Sequence, residues 1–479
     1  MQKKFISNLA FLVTLNFLVK PIAIFGIDAT VQNQVGADSY GIYFSLLNFS
    51  MLFNIILDFG INNFTTKNIA QYPHIASKYI GKILIFRLIL FVFYAVFSFS
   101  IAFVLNWNGY ELYLLSFLVL NQMLVTFIAY IRSHFSGLLL FKTEAVLGIL
   151  DRLLLIFICG AVLYFPMSNV PFKIEWFIWI QTICYGITLI VGFILLFGKI
   201  KLPKLKYNVA FSIAIIRKSF PYALLILLMM IYTRVDSVMI ERMHVNGKAE
   251  SAYYAKGFRL VNAFFMFAML FSNLLLPLFS RMFQKKEDVS PLFSTASKLL
   301  VGGSILLAIV SFFNSEYILS LIYTTEIEVS SPSFQLLMIS FIGMCSTIIF
   351  GTLLTAKGNM RFLNSVAAIG ILINFGINFY LIPIYGATGA AIATCITQTI
   401  VSGIQLTYCI KELKIPFSPK FLAQFTLFVV SLFAISYFIH VDSILLLFAV
   451  LLLAFGSMIV FRFIDIKALF KILKSSSEE

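Results

Sequence analysis

The sequence predicts an all-α, polytopic integral membrane protein of about fourteen transmembrane helices, with two six-helix lobes and two extra C-terminal helices. Three observations lead to this prediction. The 479-residue chain is 61% hydrophobic and only 11% charged, whereas soluble domains carry about 25% charged residues. Apolar stretches of about 20 residues, long enough to cross a bilayer as helices, recur along the whole chain. The basic residues fall mostly in every second link between these stretches.

The apolar stretches predict the helices in chain order. A helix satisfies its own backbone hydrogen bonds, which lipid cannot do, so each stretch is expected to be helical. The predicted spans lie near 5–27, 41–63, 81–105, 111–131, 145–165, 174–197, 219–240, 255–279, 299–323, 333–356, 362–382, 387–410, 420–440 and 442–462. No small-residue cleavage site follows the first stretch, so we expect it to be retained as a helix. The links are short, and the sequence predicts no extramembrane domain.

The distribution of basic residues predicts the orientation. Of the 35 Lys and Arg residues, 28 fall at the N-terminus, in the even-numbered links or in the tail, and this count includes Arg87 and Arg152. Because cytoplasmic loops are enriched in Lys and Arg, we expect both termini in the cytoplasm. The net charge of +15 is then an orientation signal that faces anionic lipid, and not a nucleic-acid surface.

Two cations suggest an internal repeat. Lys20 follows Lys4 by 16 residues, and Arg234 follows Lys218 by the same number, so each lies about 24 Å along a helix of the same orientation. Parallel repeats of this kind occur in transporters. The predicted segments are an N-terminal lobe over 1–207, a C-terminal lobe over 208–411, and helices 13 and 14 with a cytoplasmic tail over 412–479.

Four cations in or at the ends of the predicted spans are candidates for binding a substrate. They are Lys20, Arg234, Lys256 and Arg259. A charge inside the membrane costs free energy and marks a site by default. A cavity lined by these groups would suit phosphate, because Arg offers a bidentate fork and Lys a point charge. The alternatives are snorkelling side chains at Lys20 and Arg234 and interfacial anchors at Lys256 and Arg259.

Pro21 and the few acidic residues add further candidates. Pro21 lacks a backbone donor and disfavours helix at the residue before it, so it predicts a helix break, and broken helices are where transporters place their sites. A plain kink is the alternative. Asp58 and Asp236 are candidates for ion coupling, with solvation at a span end as the alternative. The amides within the spans indicate either helix–helix contacts or a sugar-lined path.

Other kinds of site find no support in the sequence. The histidines His74, His134, His244 and His440 lie on separate links, so no metal site is expected. The five cysteines lie in or beside apolar runs and are expected in the core. No phosphate-binding glycine loop is present, so we expect no ATP hydrolysis, no cofactor and no enzyme activity.

Three segments carry a resemblance to a known family. They are NFLVKPIAIFGID with the following VGADSYGIYFSLLNFSMLFNIILDFGINNF, YTRVDSVMI with AYYAKGFRLVNAFF, and NFGINFYLIPIYGATGAAIAT at 374–394. In this order they resemble the N-terminus, spans 7 and 8, and the signature before span 12 of bacterial polysaccharide repeat-unit flippases. That family is the polysaccharide transporter branch of the multidrug/oligosaccharidyl-lipid/polysaccharide exporter (MOP) superfamily.

The resemblance implies a two-lobed bundle that works by alternating access. It would move an undecaprenyl-pyrophosphate-linked oligosaccharide repeat unit across the bacterial inner membrane for O-antigen (lipopolysaccharide), capsule or exopolysaccharide synthesis. The four cations would hold the pyrophosphate or acidic sugars. The implied partners are the lipid-linked substrate, membrane lipids, and the polymerase and chain-length regulator of the same pathway.

Two other functions remain open from the sequence. An ion-coupled multidrug exporter of the same superfamily would normally stop at twelve spans and prefer an anionic cavity. A membrane-embedded polysaccharide polymerase or glycosyltransferase would usually carry a large outer loop, whereas the outer links here are short.

Overall fold

The computed structural model of the chain describes residues 19, 21–62, 65–66, 69, 76–138, 140–164, 171–200, 209–413, 419–439 and 441–461. Within this part of the chain nearly every residue is helical and no strand occurs, which confirms the predicted all-α fold class. Most of the first predicted span, including Lys20, lies outside the described residues. Ten of the described helices are long and apolar enough to cross a membrane.

The chain forms two compact units, and the first comprises Met1–Arg242 together with Gly247–Ala252. It begins, in its described part, with a π-helix, in which each N–H bonds five residues back rather than four. Its elements are the π-helix Ile22–Asp28, α1 (Ala29–Val35), α2 (Ala37–Leu52), α3 (Ile55–Asp58), α4 (Ala76–Val104), α5 (Gly109–Gly137), α6 (Phe141–Tyr164), α7 (Ile174–Phe197) and α8 (Val209–Met243).

The second unit comprises Met243–Asn246 and Tyr253–Glu479. The helix Gly247–Lys285 is divided between the two units, because Gly247–Ala252 belong to the first and the residues from Tyr253 onward to the second. Its elements are α9 (Gly247–Lys285), α10 (Ser290–Phe313), α11 (Ser315–Ser320), α12 (Ile327–Lys357), α13 (Met360–Leu413), α14 (Pro419–Phe438) and α15 (Ile444–Val460). The lobe boundaries predicted from the repeat concern internal symmetry and stay a prediction.

Every predicted span from the second to the fourteenth overlaps a described helix. Two of them, 362–382 and 387–410, form the single helix α13 of 54 residues. Within it, only Gly386 has non-helical dihedrals (φ 50°, ψ −124°). A φ of this sign is strained for residues with a Cβ atom. The glycine therefore marks the junction that the sequence placed between the two spans.

The last two helices pack on the second unit through α10. Val310 of α10, Phe428 and Leu432 of α14, and Val450 and Ala454 of α15 share one buried apolar cluster. Each of these five side chains is at most 1% exposed. Burial of this apolar surface makes α14 and α15 an integral part of the unit.

Candidate functional site

Arg234 lies deep within a membrane span. It follows Ala223, the first residue of the span in α8, by eleven residues, a distance of about 16 Å along the helix. Its side chain is half-buried, and its Nη1 donates a hydrogen bond to Oδ1 of Asn48 on α2 at 2.9 Å. The amide of Asn48 is itself fixed, because its Nδ2 donates to the carbonyl oxygen of Phe44 at 2.9 Å. The hydrogen bond between Arg234 and Asn48 joins α8 to α2.

Asp236 is buried on the same helix, with 1% of its surface exposed. Residues two apart on a helix point to different sides, so the carboxylate and the guanidinium of Arg234 do not share a face. The proposed coupling role of Asp236 stays a prediction.

Pro21 adopts ordinary helical dihedrals (φ −61°, ψ −39°) and directly precedes the π-helix. The irregular part of this helix is therefore the segment after the proline. The hydroxyls of Thr30 and Tyr164 both donate to the carbonyl oxygen of Gly26, at 2.8 and 3.1 Å. These bonds stabilise a backbone geometry that is found frequently at functional sites.

Lys256 and Arg259 lie in the second unit, on α9. The Lys256 side chain is only 2% exposed, and its Nζ donates to the carbonyl oxygen of Thr325 at 2.7 Å. It also lies 3.7 Å from a carboxylate oxygen of Glu326 and over the ring of Tyr323. Lys256 therefore holds the turn before α12. Arg259, three residues on, is 9% exposed.

Asp58 forms a buried ion pair in the first unit. The guanidinium of Arg87, which is 1% exposed, donates to Asp58 and to Asn62, both at 2.7 Å, and to the carbonyl oxygen of Thr126 at 3.0 Å. It also lies over the ring of Tyr130. Arg87 was counted with the basic residues of a cytoplasmic link, and that assignment is wrong: it is a core residue that joins α3, α4 and α5.

Several of the amides within the spans make helix–helix contacts. Asn54 donates to Oε1 of Gln122 at 2.8 Å, and Thr126 donates to Oδ1 of Asn54 at 3.2 Å. Gln122 donates in turn to the hydroxyl of Ser50 at 3.3 Å. These four residues tie the α2–α3 region to α5, as polar groups in lipid are expected to do.

A second ionic group was missed by the sequence analysis. Arg152 of α6 lies 3.5 Å from Asp151, and Asp28 at the end of the π-helix, Tyr43 and Tyr185 lie within electrostatic range of it. Arg152 was also counted with a cytoplasmic link, but it lies ten residues into the span Lys142–Tyr164. The sequence feature that could have indicated this group is the adjacent charged pair Asp151–Arg152 inside the apolar run of span 5.

A third ionic group joins α5, α8 and the first turn of α9. Arg242 bonds to Glu111 and to Glu241, each at 2.9 Å, and Lys248 lies 3.9 Å from Glu111. Glu111 also closes a capping box with Asn108 at the start of α5. We call Glu111, Glu241, Arg242 and Lys248 the α5–α8 clamp. Among the described residues, no group of three or more His, Cys, Asp or Glu residues is arranged to hold a metal ion.

The comparisons with known proteins identify the family. The family model described as "Polysaccharide biosynthesis protein" matches residues 5–283, more than half of the chain. The chain belongs to this family. A second model, MatE, matches residues 221–380, and no curated protein matches the chain in sequence. The resemblance to the polysaccharide transporter branch of the MOP superfamily is therefore confirmed.

Solved structures agree with the family in their fold. The structure titled "Lipid II flippase MurJ, inward closed conformation" has a TM-score of 0.75 and 15% identity, covering 94% of this chain and 98% of its own. An inward-facing multidrug resistance MATE transporter of the MOP superfamily has a TM-score of 0.60 and 12% identity, with coverages of 83% and 94%. A MOP superfamily transporter from Pyrococcus furiosus has a TM-score of 0.57 and 14% identity, and the match covers 86% of this chain and 97% of that one.

Family and fold together give the general function. The chain is a multi-pass membrane transporter of the MOP superfamily, and this polysaccharide biosynthesis family consists of transporters and not of enzymes.

Proposed function

We propose that this transporter moves an undecaprenyl-pyrophosphate-linked oligosaccharide repeat unit from the cytoplasmic to the outer leaflet of the bacterial inner membrane. The product would supply O-antigen, capsule or exopolysaccharide synthesis. Membership of the polysaccharide biosynthesis family supports a glycan substrate, and the likeness in fold to a lipid II flippase supports one that is linked to a lipid. The proposed cycle is alternating access.

The observation that carries the proposal is the placement of Arg234. A charged residue in mid-span is costly and marks a functional site by default, and this guanidinium is half-buried and donates a hydrogen bond to Asn48. A guanidinium is also the group best suited to a pyrophosphate, which Arg binds in a bidentate manner. We propose Lys20, Lys256 and Arg259 as further substrate-binding cations, the π-helix that begins directly after Pro21 as the irregular segment at the site, and Asp236 and Asp58 as ion-coupling groups.

The orientation of the chain, its lobes and its protein partners belong to the same proposal. We propose that both termini lie in the cytoplasm, because basic residues dominate the links on that side. The two lobes would be residues 1–207 and 208–411, followed by helices 13 and 14. The polymerase and the chain-length regulator of the same pathway are the proposed protein partners.

The test of the substrate is deletion of the gene followed by analysis of the membrane lipids. We expect lipid-linked single repeat units to accumulate and surface polysaccharide to disappear, and expression of the wild-type chain to reverse both effects. Loss of polysaccharide without accumulation of the lipid intermediate would contradict the proposal.

The test of Arg234 is to complement the deletion with Arg234→Gln and Arg234→Lys. We expect the glutamine variant to lose about tenfold or more in export, since a charge-assisted hydrogen bond contributes about 1.5–3 kcal/mol. The lysine variant keeps the charge and should retain more export. Quantitative immunoblotting of the membrane fraction controls for insertion. Normal export by Arg234→Gln would reject the role of this residue.

A second candidate function is export of drugs with ion coupling. The match of the MatE family model to residues 221–380 favours it. The same deletion strain distinguishes the two functions, because a drug exporter predicts increased drug sensitivity with unchanged surface glycan.

A further inference from the structure

The feature that the proposed function leaves unused is the Arg152 group. Arg152 lies ten residues after Lys142 and twelve before Tyr164, which bound its membrane span. At 1.5 Å per residue it lies about 15 Å from the first of these, near the middle of the span. A guanidinium at this depth costs roughly 2.5–3.5 kcal/mol even on the mildest insertion scale. Such a residue marks a functional site by default.

Four elements of the first unit bring polar groups to this arginine. Asp151 lies next to it on α6, 3.5 Å away, and Asp28 at the end of the π-helix and Tyr185 of α7 lie within electrostatic range of it. Tyr43 of α2 belongs to the same electrostatic network. We call Asp28, Asp151, Arg152, Tyr43 and Tyr185 the Arg152 cluster.

One part of the cluster is buried and held by contacts, and the other part is exposed. Tyr43 is only 2% exposed. Its hydroxyl accepts a hydrogen bond from Nε2 of Gln181 at 3.0 Å, and its ring packs edge-on against Phe177. In contrast, the side chain of Arg152 is 37% exposed and that of Asp151 is 17% exposed, and Tyr185 is half-buried. Ionisable side chains within membrane spans almost always face the interior of the helix bundle or a water-filled cavity.

The charge of the cluster distinguishes it from the proposed pyrophosphate site. Two carboxylates and one guanidinium give a formal charge of −1, which disfavours a phosphate or an acidic sugar. Carboxylate oxygens accept hydrogen bonds from hydroxyls, the guanidinium donates to them in a fork, and an aromatic ring offers a flat apolar face. These are the groups needed to bind a neutral sugar, whose ring carries hydroxyls at its edge and C–H groups on its faces.

We propose that Asp28, Asp151, Arg152 and Tyr185 form a subsite for the neutral sugars of the lipid-linked oligosaccharide. This inference rests on the proposed function. It assigns the binding of the sugars to a different place from the binding of the pyrophosphate at Arg234. The π-helix supports it, because its extra residue per turn rotates Asp28 relative to a regular helix and so sets where the carboxylate points. Tyr164 and Thr30 fix that geometry through the carbonyl of Gly26.

The test uses purified protein in proteoliposomes and two lipids. One is the complete lipid-linked repeat unit, extracted from the deletion strain. The other is undecaprenyl pyrophosphate that carries only its first sugar, from a strain that also lacks the second glycosyltransferase. The measured quantity is the rate at which each lipid becomes accessible to a membrane-impermeable glycosidase or lectin.

We expect Arg152→Gln and Tyr185→Leu to slow transport of the complete repeat unit about tenfold or more, since a site built for hydroxyls loses several hydrogen bonds. Transport of the single-sugar lipid should stay within about twofold of the wild-type rate, because the bonds lost are made to the distal sugars. Arg234→Gln should slow both lipids. Arg132→Gln is the matched control, because it removes a different arginine that pairs with Glu144 in the same unit, and it should preserve the ratio of the two rates.

Equal slowing of both lipids by Arg152→Gln and Tyr185→Leu would overturn the subsite while leaving the flippase function in place. Unchanged transport of the complete unit by Tyr185→Leu would also overturn it, and this variant removes no charge, so it decides the matter if Arg152→Gln fails to insert. If the wild-type protein moves neither lipid, the proposed function fails and the subsite fails with it.

Discussion

Arg87 shows how this fold accommodates a charge in its core. Its hydrogen-bond partners Asp58, Asn62 and Thr126 all come from other helices. The Asp58 carboxylate neutralises the charge, and the three partners together satisfy both terminal nitrogens of the guanidinium. Burial of an ion pair gains little over an apolar pair, but loss of one partner leaves an uncompensated charge that costs about 3–5 kcal/mol. The pair with Asp58 therefore predicts a structural role that can be separated from ion coupling.

We expect Arg87→Gln to lower the thermal stability of the purified protein strongly, by an amount that corresponds to about 3–5 kcal/mol. Asp58→Asn should also destabilise, and the double variant should lose much less than the sum of the two. Melting curves in detergent give the three values and their coupling. If Asp58→Asn melts like the wild type but shifts the pH dependence of transport, the carboxylate serves coupling and not the fold.

Lys256 is a second cation whose contacts are local. Its ammonium bonds to the Thr325 carbonyl and lies near Glu326, whose backbone is left-handed (φ 53°). Since few residues other than glycine adopt this conformation, the turn before α12 depends on outside contacts. In contrast, Arg234 and Arg152 remain partly accessible inside the membrane. Both are therefore more accessible than Lys256.

Close helix contacts depend on a few glycines. A Cβ atom on Gly41 of α2 would lie 1.7 Å from the carbonyl oxygen of Lys248, so the first turn of α9 approaches the α2 backbone directly. Gln32 adds a hydrogen bond to the carbonyl of Ala252 at 3.0 Å, and within the α5–α8 clamp the Lys248 ammonium lies 3.9 Å from Glu111 of α5. The first six residues of α9 are therefore bound to the first unit by packing, a side-chain bond and charge.

We expect Gly41→Ala to displace the start of α9, because the new Cβ would meet backbone atoms of Lys248 and Ala252 and not a flexible side chain that could move aside. The result should be reduced export at normal membrane levels, with a lower melting temperature. Gly186→Ala is the matched control in the same unit, since a Cβ there meets nothing within 4 Å and alanine favours helix by up to about 1 kcal/mol. Wild-type export by Gly41→Ala would contradict the close approach.

Gly386 provides a test within α13. Its φ of 50° with ψ of −124° is reached at low cost only without a Cβ atom, and strained dihedrals of this kind cost about 1–3 kcal/mol. We expect Gly386→Ala to lower the melting temperature. Gly376→Ala should not, because Gly376 lies in regular helix ten residues earlier, where a Cβ has open space. Equal melting of the two variants would show that no left-handed glycine is needed at this junction.

The same positions explain what the sequence could and could not predict. The spans were predictable because hydropathy and length are local properties, and even the break at Gly386 fell in the gap between two predicted spans. The roles of Arg87 and Arg152 were not, because their partners, Asp58 and Asp28, lie on other elements. Counting basic residues by link assigned both to the cytoplasm, when one is a core residue and the other lies in mid-span. Helix–helix geometry is required to tell these cases apart.

For the molecule as a whole, the distribution of basic residues predicts the orientation, because cytoplasmic loops are enriched in Lys and Arg. The two long-helix connections after α8 and α9 should therefore lie on opposite sides of the membrane, with the basic α9–α10 link in the cytoplasm. Val245 in the first connection is 95% exposed, and Asp288 in the second is also exposed. Four of the five native cysteines are buried and the fifth is half-buried, which keeps background labelling low.

We expect a membrane-impermeable maleimide to label Val245→Cys in intact spheroplasts and Asp288→Cys only after the membrane is opened. The physical reason is that translocating the Lys285 and Lys286 charges next to Asp288 is unfavourable, whereas the short turn at Val245 carries little charge. The unmodified chain is the control for the native cysteines. The reverse labelling pattern would invert the predicted topology and contradict the cytoplasmic placement of both termini.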